Sequence, residues 1–340
     1  KTFDDNLFKQ GDGVVEDYSH FENQYLDTIV SNAGKPRRKI KIAIDCGNAV
    51  PGPLTIKLME KLDVDLIPVH CDWDDKFPNH PPDPTRPENM KDLAKSVVEN
   101  NAEFGIGMDG DGDRIGVVDQ EGKFIHPDRL MTIFVKDILG ERKGGTESER
   151  TVFYDVKCSM ALEEAIYSSG GIPKMVRTGH SFMKRELKEN PDSPLAGEMS
   201  GHFFLNDRWP GFDDSLYNTA RLLEIIAREP SPEEGGPKFS DWFEDLPKYA
   251  STGEAKVPLT MNRIETMDSV ERKFSDMKYS NVDGVRVSYP EGWFLCRPSN
   301  TEPILVMRAE ANDEEGLVKI KQDVEERLGE IINLEKFHNA

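Results

Sequence analysis

The chain has 340 residues, 37% of them hydrophobic and 31% charged, with a formal net charge of −20. That length suggests about two domains, with two to four plausible, and the composition is that of a globular protein able to bury real cores. An acidic balance without a long Lys/Arg cluster argues against a nucleic-acid binder, and no apolar run approaches the ~20 residues of a membrane span, so neither nucleic acid nor a membrane is an expected partner. No signal peptide is visible, which makes the cytoplasm the expected location. The chain begins at Lys1 with no initiator methionine.

Residues 1–36 are polar and look partly helical. "RKIKIAIDCGN" then puts Ile40, Ile42 and Ile44 on one face and ends in a Gly-Asn turn, as a strand does. "PGPLTIKLMEKL" has helical spacing, "VDLIPVHC" reads as a strand and "RPENMKDLAKSVVENN" as a helix with Pro87 near its start. Strand–helix alternation predicts a mostly parallel, helix-covered sheet.

Next comes "GIGMDGDGDRIGVVD", residues 105–119. Asp109, Asp111 and Asp113 alternate with glycine between two short apolar runs of strand type. Three carboxylates this close repel one another unless something positive sits among them. Hard divalent cations such as Mg²⁺ take carboxylate oxygens, so the loop is a metal candidate, against a plain solvated acidic turn. An EF-hand is rejected: from Asp109 as position 1, position 6 is Arg114 where glycine is needed and position 12 is Gln120 where glutamate is needed. Arg114 either neutralises one carboxylate or holds a phosphate.

"LGERKGGTESER", 139–150, reads as a domain break. The alternation resumes with "TVFYDV" as strand, "SMALEEAIYSSGG" as helix and "PKMVRT" as strand. "RTGHSFMK" ends that strand and opens a helix, placing Thr178, Gly179, His180 and Lys184 at an anion-favouring helix N-terminus. In "GEMSGH" the alternating Glu198, Ser200 and His202 would point the same way in extended chain, and a carboxylate with a hydroxyl suits neighbouring sugar hydroxyls. "EPSPEEGGPK", 229–238, is a second break. After it, "VDGVRVSY", "WFLCRPS" and "PILVMRAEA" are closely spaced strands before a long final helix, a small α+β unit. Within it "RPSNTEP" offers Arg297, whose guanidinium fork suits a phosphate, and Ser299, Asn300 and Thr301 in a turn that can cradle an anion. Taken singly, each of these stretches also has an ordinary structural reading. The four cysteines, Cys46, Cys71, Cys158 and Cys296, form no CxxC pair and read as buried, reduced thiols.

Together, "DGDGDR", "VKCS", "RTGHS", "GEMSGH", "GFDD", "DGVRV" and "RPSNTEP", in that order, with "FPNHPPDPTRPEN" at 77–89, make the chain resemble the α-D-phosphohexomutase superfamily, nearest its bacterial phosphomannomutase/phosphoglucomutase branch. The resemblance covers nearly the whole chain. It implies two consecutive mixed α/β sheet domains covered by helices, then a small α+β C-terminal domain with an antiparallel sheet. The expected division is a 1–15 remnant leading to the family's first domain, a second domain at 16–142 with the metal loop, a third at 143–250 with the sugar-binding loop and a fourth at 251–340 with the phosphate-binding loop.

The resemblance implies an isomerase of the intramolecular phosphotransferase kind, moving a phosphoryl group between O1 and O6 of glucose or mannose phosphates. A phosphoserine and glucose 1,6-bisphosphate are its expected carrier and activating intermediate. Asp109, Asp111 and Asp113 would hold Mg²⁺. Arg114 would sit by the transferred phosphate, Lys184, His180 and His202 would line the sugar cleft, and Thr178 and Gly179 would stand beside them. Glu198 and Ser200 would grip ring hydroxyls, and Arg297, Ser299, Asn300 and Thr301 would hold the other phosphate. A monomer is expected, with a dimer open. Met199 favours neutral sugars over the amino-sugar branch, where glutamine is typical; a glucosamine-phosphate mutase and a non-catalytic sugar-phosphate or metal-binding module remain the alternatives.

The family's "TASHNP"-like serine loop has no match here. "DYSHFEN", 17–23, has Ser-His without Asn-Pro. The expectation is therefore a chain cut short of that first domain, rather than a protein that lost it, and inactive by itself.

Overall fold

The structure is a computed structural model, and it describes residue 11 and residues 13–18, 20–141, 144–259, 262–299 and 302–340. Asn300 and Thr301 of the expected phosphate turn lie outside the described residues, as do Ser19 and most of the 1–15 segment.

The first unit opens with α1 (Phe21–Ala33), β1 (Lys41–Asp45), α2 (Gly52–Leu62), β2 (Asp65–Val69), α3 (Lys91–Asn100), β3 (Phe104–Met108), β4 (Ile115–Val118) and β5 (Phe124–Ile125). Its sheet runs β2-β1-β3-β4-β5. The first three strands are parallel, as the alternation requires, and β4 and β5 are antiparallel additions. The aspartate loop is thus the turn of the β3–β4 hairpin.

The second unit follows: α4 (Pro127–Glu141), α5 (Glu147–Arg150), β6 (Thr151–Asp155), α6 (Met160–Ser168), β7 (Ile172–Val176), α7 (His180–Glu189), β8 (Leu195–Gly197), β9 (Phe203–Leu205) and α8 (Ser215–Ile226). Its sheet, β7-β6-β8-β9, repeats the first unit's order of three parallel strands and an antiparallel fourth. The turn 198–202 therefore occupies in this sheet the place that the aspartate turn occupies in the other. In doubly wound sheets ligands bind at the carboxyl ends of the strands, where the strand order reverses. Here those ends are Asp45 and Met108 in one unit and Asp155 and Gly197 in the other.

One hydrophobic core runs through both units, from Leu26 and Ile29 of α1 through Phe134 of α4 to Leu216 and Leu223 of α8. The last unit has its own core, centred on Phe274, Phe294, Val324 and Phe337. It contains β10 (Ala250–Ser251), β11 (Ala255–Pro258), α9 (Arg263–Lys273), β12 (Tyr279–Ser280), β13 (Val285–Ser288), β14 (Gly292–Pro298), β15 (Ile304–Ala311), α10 (Glu314–Leu328) and α11 (Glu335–His338). The sheet is antiparallel throughout, with β14 and β15 as its long central pair. Trp293 and Leu295 of β14 pack against Val156 of the second unit.

All four cysteines are free and buried. The sequence leaves them far apart, but β1 and β2 run parallel and bring the thiols of Cys46 and Cys71 to 3.5 Å. Among the described residues no helix is long and apolar enough to cross a membrane.

Candidate active site

The three aspartates converge. Each offers one carboxylate oxygen, and the three oxygens lie within 4.8 Å of one another. Asp109 is 1% exposed and organises the turn: its Oδ1 accepts the amides of Gly112 (3.1 Å), Asp113 (3.0 Å) and Arg114 (3.0 Å). Of the two glycines between the aspartates, only Gly112 sits at positive φ, +80°, where a side chain would be strained. Asp111 is exposed.

Burial pushes the Asp109 carboxyl up to about 6, despite the charge and hydrogen bonds of Arg114. Burial would also raise Asp113, but the hydrogen bond and charge of His202 hold it at about 2. The geometry is what points to an ion: three carboxylate oxygens gathered within 4.8 Å of one another suit a hard divalent cation. The residues present therefore fit such an ion.

The second hairpin faces the first. Ile115 N donates to Gly201 O at 3.1 Å, Arg114 and His202 form an antiparallel bridge, and Ser215 N donates to Gly112 O at 2.9 Å. His202 lies between carboxylates from both hairpins. Its Nε2 is 3.3 Å from Asp113 Oδ1 and its Nδ1 is 3.0 Å from Glu198 Oε2, with Ser200 Oγ at 2.8 Å from Nδ1. Burial alone would lower the imidazole pKa, but the two carboxylates raise it to about 9, so the ring is charged near neutrality. Glu198, 1% exposed, is held below its ordinary range because the His202 interactions outweigh burial.

Glu198, Ser200 and His202 do meet, but not by strand alternation. Residues 198–202 form a turn, closed by Gly201 N to Glu198 O and Glu198 N to His202 O, both 3.0 Å, with Gly201 at φ +87°. The expectation of an extended segment is corrected on that point.

The helix N-terminus expected at 178–184 is present, with His180 as the first residue of α7. Its nearby amides bind carboxylates: Gly179 N donates to Glu198 Oε1 (2.5 Å) and Thr178 N to Asp283 Oδ2 (3.1 Å). Lys184 Nζ lies 2.6 Å from Asp213 Oδ1 and 3.2 Å from His180 Nδ1, and the His180 ring stacks on His202 at 5.6 Å.

Arg297, 5% exposed, donates from Nε to Asp283 Oδ2 at 2.7 Å, while its buried Nη2 has no partner among the described residues. Ser299 Oγ accepts the Glu302 amide at 3.2 Å. One polar network thus runs Arg297–Asp283–Thr178, then Gly179–Glu198–His202–Asp113, and on to Arg114, whose Nε is 2.7 Å from Asp109 Oδ2 and whose Nη1 is 3.2 Å from Asp83 Oδ1.

A cavity of about 630 Å³ opens beside this network, lined by Asp83, Lys157, Met199, Ser200, Glu254 and Arg308 among others. That volume is in the range of small-molecule pockets. Lys157 is buried with its Nζ 2.8 Å from Glu254 Oε1, and Arg308 Nη1 donates to Lys157 O at 2.5 Å. Asp83, Lys157, Glu254, Asp283 and Arg308 carry no role in the sequence reading. "FPNHPPDPTRPEN", "VKCS" and "DGVRV" point at three of them; Glu254 and Arg308 have no comparable signal.

Fold and cleft define a class: two duplicated α/β units and an α+β unit whose loops converge on one polar cleft. Family models for phosphoglucomutase/phosphomannomutase match residues 23–122 (alpha/beta/alpha domain II), 126–249 (alpha/beta/alpha domain III) and 254–327 (C-terminal domain). The chain belongs to the phosphoglucomutase/phosphomannomutase family, within the α-D-phosphohexomutases. It is 42% identical over 287 residues to a phosphomannomutase/phosphoglucomutase of Pseudomonas aeruginosa, a match covering 84% of this chain and 59% of that protein. It is 39% identical over 318 residues to a phosphoglucomutase of Neisseria meningitidis serogroup A, covering 92% of this chain and 65% of the relative. The crystal structure of a phosphoglucomutase/phosphomannomutase family protein from Burkholderia thailandensis superposes with a TM-score of 0.84 at 40% identity, covering 96% of this chain and 68% of that one. The chain thus spans less than two thirds of the length of these curated relatives.

Proposed function

We propose that this chain supplies the metal, sugar and distal-phosphate sites of a mutase that interconverts hexose 1-phosphates and hexose 6-phosphates. The observation that carries the reading is the continuous network from Asp109 to Arg297, because a sugar phosphate needs cation, hydroxyl and phosphate contacts in one connected site. Two neighbouring hydroxyls would bind Glu198 and Ser200. The non-reacting phosphate would bind Arg297 with Ser299, Asn300 and Thr301. His202, charged and set between Glu198 and Asp113, holds a proton beside those hydroxyls, and Lys184 and His180 line the same cleft. Asp109, Asp111 and Asp113 would hold Mg²⁺, which supplies neutralisation of charge on the transferred phosphoryl group. Arg114, already on Asp109, stands next to that phosphate.

The carrier in this reading is a phosphoserine. It gives its phosphoryl to the free hydroxyl, and the resulting bisphosphate returns its other phosphoryl to the serine. No "TASHNP"-like loop occurs in the 340 residues, so the serine would come from another domain and glucose 1,6-bisphosphate would be the bound intermediate. Met199 at the cavity wall supports neutral sugars over amino sugars.

Calorimetric titration with glucose 1,6-bisphosphate in Mg²⁺ tests this. One site is expected, and Arg297→Ala should weaken it by about 1.5–3 kcal/mol, the scale of a hydrogen bond to a charged group. A coupled assay for glucose 6-phosphate should find no turnover of glucose 1-phosphate by the chain alone. Equal binding by wild type, Arg297→Ala and Glu198→Gln would overturn the site, and turnover by the chain alone would overturn the carrier.

A further inference from the structure

The carboxyl ends of β1 and β2 carry a second group of ligand-type side chains that the reaction above does not use. Asp45 closes β1 and is 2% exposed. His70 directly follows β2, and His80 stands in the 77–86 segment that folds back over β1. Each residue offers one ligand atom, and the three atoms lie within 4.8 Å of one another. His80 Nε2 and Asp45 Oδ2 are 3.0 Å apart. Two ligand atoms held tetrahedrally by one ion at ~2.1 Å stand about 3.4 Å apart, so this hydrogen-bonded pair has to open by only a few tenths of an ångström to admit one.

The outer contacts are those of metal-binding imidazoles. His80 Nδ1 is 2.9 Å from the Pro81 carbonyl, which can only accept, so Nδ1 carries the hydrogen. Nε2 then faces the Asp45 carboxylate, a second acceptor, so one positive charge belongs at this contact: a second ring proton when the site is empty, or the ion that displaces it. His70 Nε2 is 3.0 Å from Asp92 Oδ2, which leaves Nδ1 for an ion. An imidazole whose far nitrogen donates to a carbonyl or a carboxylate is oriented as a ligand, and its partner raises its basicity. Asp45 is oriented in turn, its Oδ1 accepting the Gly47 amide at 2.8 Å. Two imidazoles and one carboxylate favour zinc-class ions over magnesium, which prefers oxygen alone.

We propose that Asp45, His70 and His80 form a second divalent-metal site, for a zinc-class ion, distinct from the aspartate triad. Such an ion ties the 77–86 segment to the ends of β1 and β2. Three residues past His80, Asp83 holds Arg114, which holds Asp109. The second site thereby steadies the arginine of the first without touching its ligands.

The test titrates the metal-free chain with Co²⁺, read by its visible absorption, and with Zn²⁺ by calorimetry. Both wild type and Asp111→Asn should bind one ion through nitrogen ligands, unaffected by excess Mg²⁺. His70→Asn, which tolerates the left-handed backbone of that position (φ +47°), should weaken binding at least tenfold, and Asp92→Asn about 10–100-fold. His80→Gln should also weaken it. Because His70→Asn leaves the Asp45–His80 pair intact, an unchanged melting temperature without metal separates lost ligation from lost folding. Absence of binding in wild type, binding unchanged in His70→Asn, or binding lost in Asp111→Asn would each overturn the proposal.

Discussion

Asp109 and Asp111 stand two residues apart and have opposite surroundings. Asp109 is buried under three backbone amides and Arg114, whereas Asp111 is exposed. Asp109→Ala should therefore destabilise the fold by about 1–3 kcal/mol, the cost of leaving buried polar groups unsatisfied. Asp111→Asn should leave the melting temperature unchanged and weaken Mg²⁺ binding, since one charge goes at nearly constant shape. Thermal melts paired with Mg²⁺ titrations check both. The thiols are similarly unequal. Burial pushes Cys296 up to about 12 and Cys158 well above the usual thiol range, while the neighbouring Cys46 holds Cys71 below it. Brief iodoacetamide treatment of the native chain should label Cys71 first, and Cys158 and Cys296 only after unfolding, as read by peptide mass spectrometry.

At the scale of elements, the longest periodic segments were legible. The Ile40–Ile42–Ile44 alternation is β1 and its lead-in, the spacing in "DEEGLVKIKQDVEERLGEII" is α10, and the three strands near the C-terminus are β13, β14 and β15. Two-residue strands such as β5, β10 and β12 were not, because two residues hold no alternation; they exist through pairing with longer neighbours. The aspartates announced themselves because like charges at such spacing need a reason. Asp83 and Asp283 did not, because their partners, Arg114 in the β3–β4 turn and Arg297 on β14, lie on other elements. The segment around 198–202 reads as strand plus turn, and what the sequence did not show is how tightly the left-handed Gly201 closes that turn. A Cβ there would lie 2.6 Å from Ile115 O, against the facing hairpin. Gly201→Ala should thus lower the melting temperature and weaken both Mg²⁺ and hexose-phosphate binding, whereas Ser200→Ala should affect only the sugar phosphate. Paired calorimetric titrations distinguish the two.

At the scale of the whole molecule, two large cores stand out among the described residues. The α/β units are joined through a common interior, while the C-terminal unit has its own and docks through polar contacts around the small apolar cluster of Val156, Trp293 and Leu295. Glu310 takes part in that docking: it accepts the Met160 amide across the junction at 2.7 Å and, within its own unit, Trp293 Nε1 at 3.2 Å. Scanning calorimetry should resolve two transitions, and Glu310→Ala should lower the C-terminal one while sparing the other. A sugar bisphosphate spanning Glu198 and Arg297 should draw them together, because a ligand bound to the docked form stabilises the docking itself.

The hydrogen bond from Ile115 N to Gly201 O crosses from one sheet to the other. Its proton can pass to solvent only when the two hairpins part, so one amide serves as a clock for the opening of the cleft. Ile106, inside the first sheet on β3, keeps time for that unit's own unfolding. In deuterated water, faster exchange at Ile115 than at Ile106 would measure how often the two hairpins part while the shared core stays folded. Slowing of Ile115 alone on addition of a sugar bisphosphate would give the free energy with which ligand holds the two sheets edge to edge.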